Sequence, residues 1–133
     1  MTINATTPEE VLVRFRQAWD AGDADAYSQL FTQDATYVIF MGELQVGREQ
    51  IRETHHDVFT KWQKGTKLIV KAIETRQLDN DTVVLLTVGG IGTKTIDYDK
   101  FQTFVLVRRD GGWLISAFHN TEMSKRLKKQ YAA

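Results

Sequence analysis

The sequence predicts a single α+β domain in which three helices come first and pack on an antiparallel sheet. Three observations predict it. Apolar residues recur at helical spacing, between start and stop signals, in three segments before residue 66. Strand-like runs separated by polar turns then occupy nearly all of the remaining chain. A chain of 133 residues, 42% hydrophobic with one proline, is sized for one core and shows no linker or internal repeat.

The first helix opens at Thr7-Pro8-Glu9-Glu10, where Thr7 caps, Pro8 suits the first helical position and Glu10 completes a capping box. Val11, Leu12, Phe15, Ala18 and Trp19 share one face, and Gly22 stops the run. Asp23 caps a second, shorter helix through Asp25 to Phe31, with Ala26, Tyr27, Leu30 and Phe31 on one face. Ala35 to Met41 and Leu44-Gln45-Val46 read as a small hairpin across Gly42. After Gly47 the helical period returns: Ile51, His55, Val58, Phe59 and Trp62 fall together, and Gly65 closes the helix.

Four strands follow: Lys67 to Leu78, Thr82 to Thr93, Phe101 to Arg109 and Trp113 to Glu122. Turns at Asp79-Asn80-Asp81 and Asp110-Gly111-Gly112, with a longer connection through Asp97-Tyr98-Asp99, make them an antiparallel meander. Val88-Gly89-Gly90-Ile91-Gly92 has no helix after it to make a phosphate loop. Its glycines are expected to mark bulges or bending of the sheet around a helix. The folded core spans residues 7–123, and residues 124–133 form a basic tail in which Lys125, Arg126, Lys128 and Lys129 are solvated.

Val83-Val84-Leu85-Leu86, Phe104-Val105-Leu106-Val107 and Trp113-Leu114-Ile115 are apolar on consecutive residues, whereas a sheet wet on one face alternates. Both faces are therefore expected to be covered, one by the helices and the outer one by a second copy of the chain in a homodimer. A sheet curled tightly enough to bury both faces alone is the alternative.

Lys and Arg balance Asp and Glu at 17 each, so no global field recruits nucleic acid or an anionic membrane. The absence of cysteine excludes disulfides, thiol nucleophiles and thiolate metal sites. Met1 to Thr7 is short and polar, unlike a signal peptide, and no apolar run approaches the ~20 residues that span a bilayer. A cytoplasmic protein is the expectation. No cofactor is expected, since there is no dinucleotide fingerprint, and no metal, since three histidines without a His-Glu-x-x-His pattern do not make a site. Ser28, Ser116 and Ser124 lack a nucleophile elbow.

Phe15-Arg16-Gln17-Ala18-Trp19-Asp20-Ala21-Gly22-Asp23, Leu30-Phe31-Thr32-Gln33-Asp34-Ala35, Gly47-Arg48-Glu49-Gln50-Ile51 with His55 and Phe59, and Trp113-Leu114-Ile115 ending in His119-Asn120-Thr121 together carry a resemblance. In this order they resemble the SnoaL-like group of the nuclear transport factor two-like superfamily, and within it the SgcJ/EcaC-type branch. The resemblance covers nearly the whole chain, which would then be a single SnoaL-like domain over residues 1–133. It implies a cone-shaped, cystatin-like fold whose curved sheet wraps the long helix around an apolar cavity, with dimers across the outer sheet face. Relatives on this scaffold include isomerases, dehydratases, cyclases and hydrolases beside purely associative modules, so the fold selects no reaction.

Two histidines are the candidates for chemistry. His55 lies on the apolar helix face between Ile51 and Phe59, while His56 turns about 100° away. Burial there lowers a histidine pKa and leaves a neutral base, or merely a core histidine satisfied by one hydrogen bond. His119 shares a strand face with Trp113, Ile115 and Ala117, and Asn120 shares the opposite face with Leu114, Ser116 and Phe118. A regular strand sends only one of His119 and Asn120 into the cavity; a bulge would change the alternation. Asp34 is a candidate base or orienting carboxylate. Trp19, Tyr27, Tyr37, Phe59 and Asn120 are the candidate cavity-lining residues, while Glu43, Asp97 and Asp99 read as solvated turn acids.

Two functions are compatible with these residues. One is a small-molecule-binding protein that works as a cofactor-free acid/base enzyme of the isomerase, dehydratase or cyclase type, with His55 or His119 moving a proton and Asp34 or Tyr37 as partner. The other is a non-catalytic ligand-binding or dimerisation module. In either, the partner is a small apolar molecule.

Overall fold

Thr7 accepts a hydrogen bond from the Glu10 amide at 3.1 Å and thereby starts α1, Pro8–Ala21, in the computed structural model, which describes residues 4–132. Glu10 does not close the expected box onto Thr7. Its carboxylate accepts from the amide and hydroxyl of Thr6, one residue earlier, at 2.7 and 2.9 Å. Gly22, in the left-handed region at φ 64°, ends the helix.

Asp23 caps α2, Ala24–Ser28, by accepting from the Ala26 amide at 3.0 Å. This helix stops short of Phe31, which was expected inside it and instead begins β1, Phe31–Val38. Partners distant in sequence decide the matter. Phe31 stands opposite Ile115, and its carbonyl accepts from both Nε and Nη2 of Arg48 at 2.9 and 2.6 Å. The first strand therefore starts four residues before the expected Ala35, and Asp34 lies within it rather than ahead of it.

β2, Leu44–Val46, pairs antiparallel with β1 and sets Gln45 opposite Tyr37. α3, Arg48–Asp57, runs into a π-helical turn, Val58–Trp62, where the Gln63 amide donates to the Val58 carbonyl at 2.7 Å. The added residue rotates Trp62 off the face of Ile51 and His55. Expected inward, Trp62 is 67% exposed.

The meander is present as β3, Lys67–Asp79, β4, Thr82–Gly92, β5, Lys100–Arg109, and β6, Gly112–Glu122. β1 joins it alongside β6 in parallel, so the curved six-stranded sheet, ordered β2-β1-β6-β5-β4-β3, is mixed rather than purely antiparallel. Asp20 ties α1 to β3, accepting at its carboxylate from the Leu68 amide at 2.8 Å. Helices and concave sheet face enclose Phe15, Tyr27, Phe31, Ile51, Phe104, Leu106, Ile115 and Phe118, all under 2% exposed.

On the outer face, Val84, Leu86, Val105, Val107 and Leu114 are half-buried. The tail does more than dangle in solvent: it forms α4, Lys125–Gln130, capped by Ser124, and packs the Tyr131 ring edge-on against Phe101 at 5.6 Å. Met1–Ile3, part of the polar start, and Ala133, the end of the tail, lie outside the described residues. Among the described residues no helix is long and apolar enough to cross a membrane.

The glycines of β4 mark close approach rather than bulges: the register shifts of the β3–β4 pairing fall in β3. A Cβ on Gly90 would lie 1.9 Å from the Asp97 carbonyl oxygen, because the β4–β5 connection folds back over the strand. At Gly89 the neighbour is the side-chain amide of Gln102.

Candidate functional site

Ser116 decides where β6 points its end. Val105 pairs with Ala117 and Leu106 with Ile115, so Ser116 has no partner residue on β5 and the alternation slips by one. Before the bulge Trp113 and Ile115 face the core; after it Phe118 and Asn120 face inward. His119 is carried to the exposed outer face, paired on its flanks with Val38 and Thr103. The question left open by simple alternation is answered by Asn120.

Asn120 lines a cavity of about 460 Å³ between the helices and the concave sheet face. Phe15 and Trp19 of α1, Tyr27 of α2, Tyr37 of β1, His55 of α3 and Phe118 of β6 form its aromatic depth, and Thr54 of α3 lines it beside them. Phe40, Met41, Glu43, Trp62 and Ile91 surround the mouth. Trp19 is fixed by its indole N–H, which donates to the Thr66 hydroxyl at 3.0 Å.

His55, 3% exposed, stands at the centre of a directed hydrogen-bond chain. Its Nδ1 lies 2.8 Å from the Ile51 carbonyl, which can only accept, so Nδ1 carries the hydrogen. Burial, opposed only in part by that bond, lowers the His55 pKa to about 4, so the ring is neutral near pH 7 and Nε2 is an acceptor. The Tyr37 hydroxyl, 3.1 Å away, therefore donates to Nε2, and the Tyr27 hydroxyl donates to Tyr37 at 2.7 Å. Desolvation holds both phenols protonated well above the usual tyrosine range.

The remaining polar wall is made of carboxamides. Gln102, 5% exposed, accepts at Oε1 from the Thr87 hydroxyl at 2.8 Å. Gln45 Oε1 and Asn120 Oδ1 are buried without a partner among the described residues. Lys100 lines the wall near the mouth, paired with Asp99 at 2.9 Å and set over the Phe40 ring at 5.0 Å. Asp99 is thus half-buried and paired rather than a freely solvated turn acid.

The structure brings together Trp19, Tyr27, Tyr37, His55 and Asn120 on one cavity. It separates three other candidates from it. Asp34 is exposed and accepts from the Thr32 hydroxyl at 2.9 Å, on the β1 face away from Tyr37. His119 is outside for the reason given. Phe59 lies a turn beyond His55 and packs edge-on against Trp19 at 5.0 Å, within the core rather than on the cavity wall. Gln45 and Gln102 escaped the sequence reading, although Gln102 two residues before core Phe104 is a polar residue on an inward strand position. No group of three or more His, Asp or Glu side chains able to hold a metal occurs among the described residues.

A family model described as a SnoaL-like domain matches residues 9–121. No curated protein matches the chain in sequence. Among solved structures, a domain of unknown function with a cystatin-like fold from Nostoc punctiforme is similar at 24% identity and TM-score 0.80, over 92% of this chain and 78% of that one. An NTF-2 like protein of unknown function from Shewanella oneidensis matches at 19% identity and TM-score 0.75, over 86% and 95% of the two chains. A ketosteroid isomerase-like protein from Erwinia carotovora atroseptica matches at 16% identity and TM-score 0.70, over 87% and 93%. At these identities the likeness establishes the cystatin-like, NTF2-like fold.

Proposed function

The chain belongs to the family of SnoaL-like domains, and from that membership and the geometry of its cavity we propose that it binds a small, largely apolar molecule between helices and sheet. One observation carries the reading: a cavity of about 460 Å³, aromatic in its depth, whose apolar lining continues outward through Phe40, Met41 and Trp62. Those three rim side chains are exposed in the free chain, a cost in water that a bound apolar ligand relieves. In its depth His55 is neutral and hydrogen-bonded on both nitrogens.

Titration with 2-acetylnaphthalene, followed by tryptophan fluorescence from Trp19 and Trp62, tests this. Saturable quenching that Thr54→Phe abolishes by filling the cavity supports the proposal. Absence of saturation, or quenching indifferent to the filled cavity, contradicts it.

Cofactor-free acid/base catalysis is the second reading, favoured by the Tyr37–His55 pair on the cavity wall and by the likeness to a ketosteroid isomerase-like protein. In it, Nε2 of His55 takes a proton α to a substrate carbonyl and Tyr37 turns to donate to the developing enolate oxygen. Deuterium wash-in at the methyl group of bound 2-acetylnaphthalene, lost in His55→Gln, supports catalysis; no exchange above buffer leaves binding alone.

The same proposal includes a homodimer, since Val84, Leu86, Val105, Val107 and Leu114 make a half-buried apolar strip on the outer sheet face. Sedimentation as a monomer at micromolar concentration would contradict it. The same proposal places the chain in the cytoplasm, a compartment that a cysteine-free chain fits, and cell fractionation tests it.

A further inference from the structure

Two rows of residues cross the concave face of the sheet and differ in polarity. One runs Leu85, Phe104, Phe118, Tyr37, Gln45 through successive strand pairings, and the next runs Thr87, Gln102, Asn120. Gln45, Gln102 and Asn120 all line the cavity. Gln102 is anchored at one end of its amide, where its Oε1 meets the Thr87 hydroxyl at 2.8 Å, and the other end remains available. Its amide lies against Gly89, where a Cβ would stand only 2.6 and 2.8 Å from the amide oxygen and nitrogen, so the missing side chain makes the seat.

Gln45, 6% exposed, and Asn120 present oxygens that are shielded from solvent and unpartnered. A buried acceptor left without a donor is unfavourable, so a ligand donor that the amide meets by turning toward the cavity relieves that cost. Turning either amide by 180° exchanges its two ends but removes neither requirement. A ligand edge with acceptors alone, such as a ketone or a carboxylate, therefore satisfies half of what these amides offer. Charge is also unmatched in the depth of the cavity, where His55 is neutral, and Lys100 near the mouth is already paired with Asp99.

We propose that Gln45, Gln102 and Asn120 select a neutral ligand whose polar edge carries a hydrogen-bond donor beside an acceptor, as in a primary amide or lactam on an apolar ring. The inference rests on the cavity-binding reading above and adds the class of molecule. The test compares four probes of one ring size by calorimetry: 2-naphthamide, 2-acetylnaphthalene, 2-naphthoate and naphthalene. The amide is expected to bind at least tenfold more tightly than the other three, and Asn120→Leu to bring it down to the ketone. Asn120→Asp, which keeps the shape but loses the NH₂, is expected to weaken the amide as well and serves if the leucine variant does not fold. Equal affinities, or a preference for the amide that survives both substitutions, overturn the selection while leaving cavity binding in place. Failure of all four probes to bind overturns both.

Discussion

Tyr37 donates to Nε2 of His55 at 3.1 Å while it accepts from Tyr27 at 2.7 Å. Side chains from α2, β1 and α3 thus form one directed chain that ends on the Ile51 carbonyl. Each member has a single available role, so breaking the chain at different points has different consequences.

Tyr37→Phe removes both the donor to His55 and the acceptor for Tyr27, leaving two buried polar atoms unpaired. The expected loss of stability is about 2–4 kcal/mol. Tyr27→Phe leaves the bond to His55 intact and is expected to cost about 1 kcal/mol. Urea unfolding of the two variants checks the order; equal losses would mean that the chain is not directed as described.

His55 makes stability depend on pH. Its folded pKa of about 4 lies below the ordinary value of 6.5, so between these the unfolded chain holds a proton that the folded chain does not. Stability is complete above pH 6.5 and declines as pH falls toward 4, by about 3 kcal/mol over that window. Comparing His55→Asn with the parent chain by unfolding at pH 4.5 to 7 isolates this slope from that of the carboxylates. An unchanged slope in the variant would refute a buried neutral imidazole.

Asp34 and His119 sit on exposed surface outside the cavity. Asp34→Ala is expected to cost about 1 kcal/mol, because the buried Thr32 hydroxyl loses its acceptor, and His119→Ala less than about 0.5 kcal/mol; both leave the affinity for 2-acetylnaphthalene unaltered. A tenfold loss of affinity in either variant would show that the site is not where the geometry puts it.

Gly89→Ala is expected to displace the Gln102 amide and also to crowd the Ile69 carbonyl, 2.9 Å from the new Cβ. A cost of about 1–3 kcal/mol in unfolding free energy follows, together with weaker 2-naphthamide binding. Unchanged binding with lowered stability would show that the Gln102 amide is not part of the selective wall.

The caps at Thr7 and Asp23, the meander and the inward face of His55 were legible because each depends on neighbours within one helical turn or one strand. What escaped depends on distant partners. Phe31 leaves helical geometry because Ile115 and Arg48 receive it, and Ser116 bulges because of how β6 registers on Val105 and Leu106. The swap of His119 for Asn120 follows from that single unpaired residue. Gln45 and Gln102 carry no motif; only the sheet register that aligns them with Tyr37 and Asn120 makes them a site.

The side-chain NH₂ resonances of Gln45, Gln102 and Asn120 report directly on the central claim that an apolar molecule is held against this wall. Titrating 2-naphthamide into ¹⁵N-labelled protein is predicted to shift these three signals saturably while the backbone amides of Asp34 and His119 stay in place. Saturable shifts confined to the outer sheet face around His119, with the three carboxamides unmoved, would contradict it.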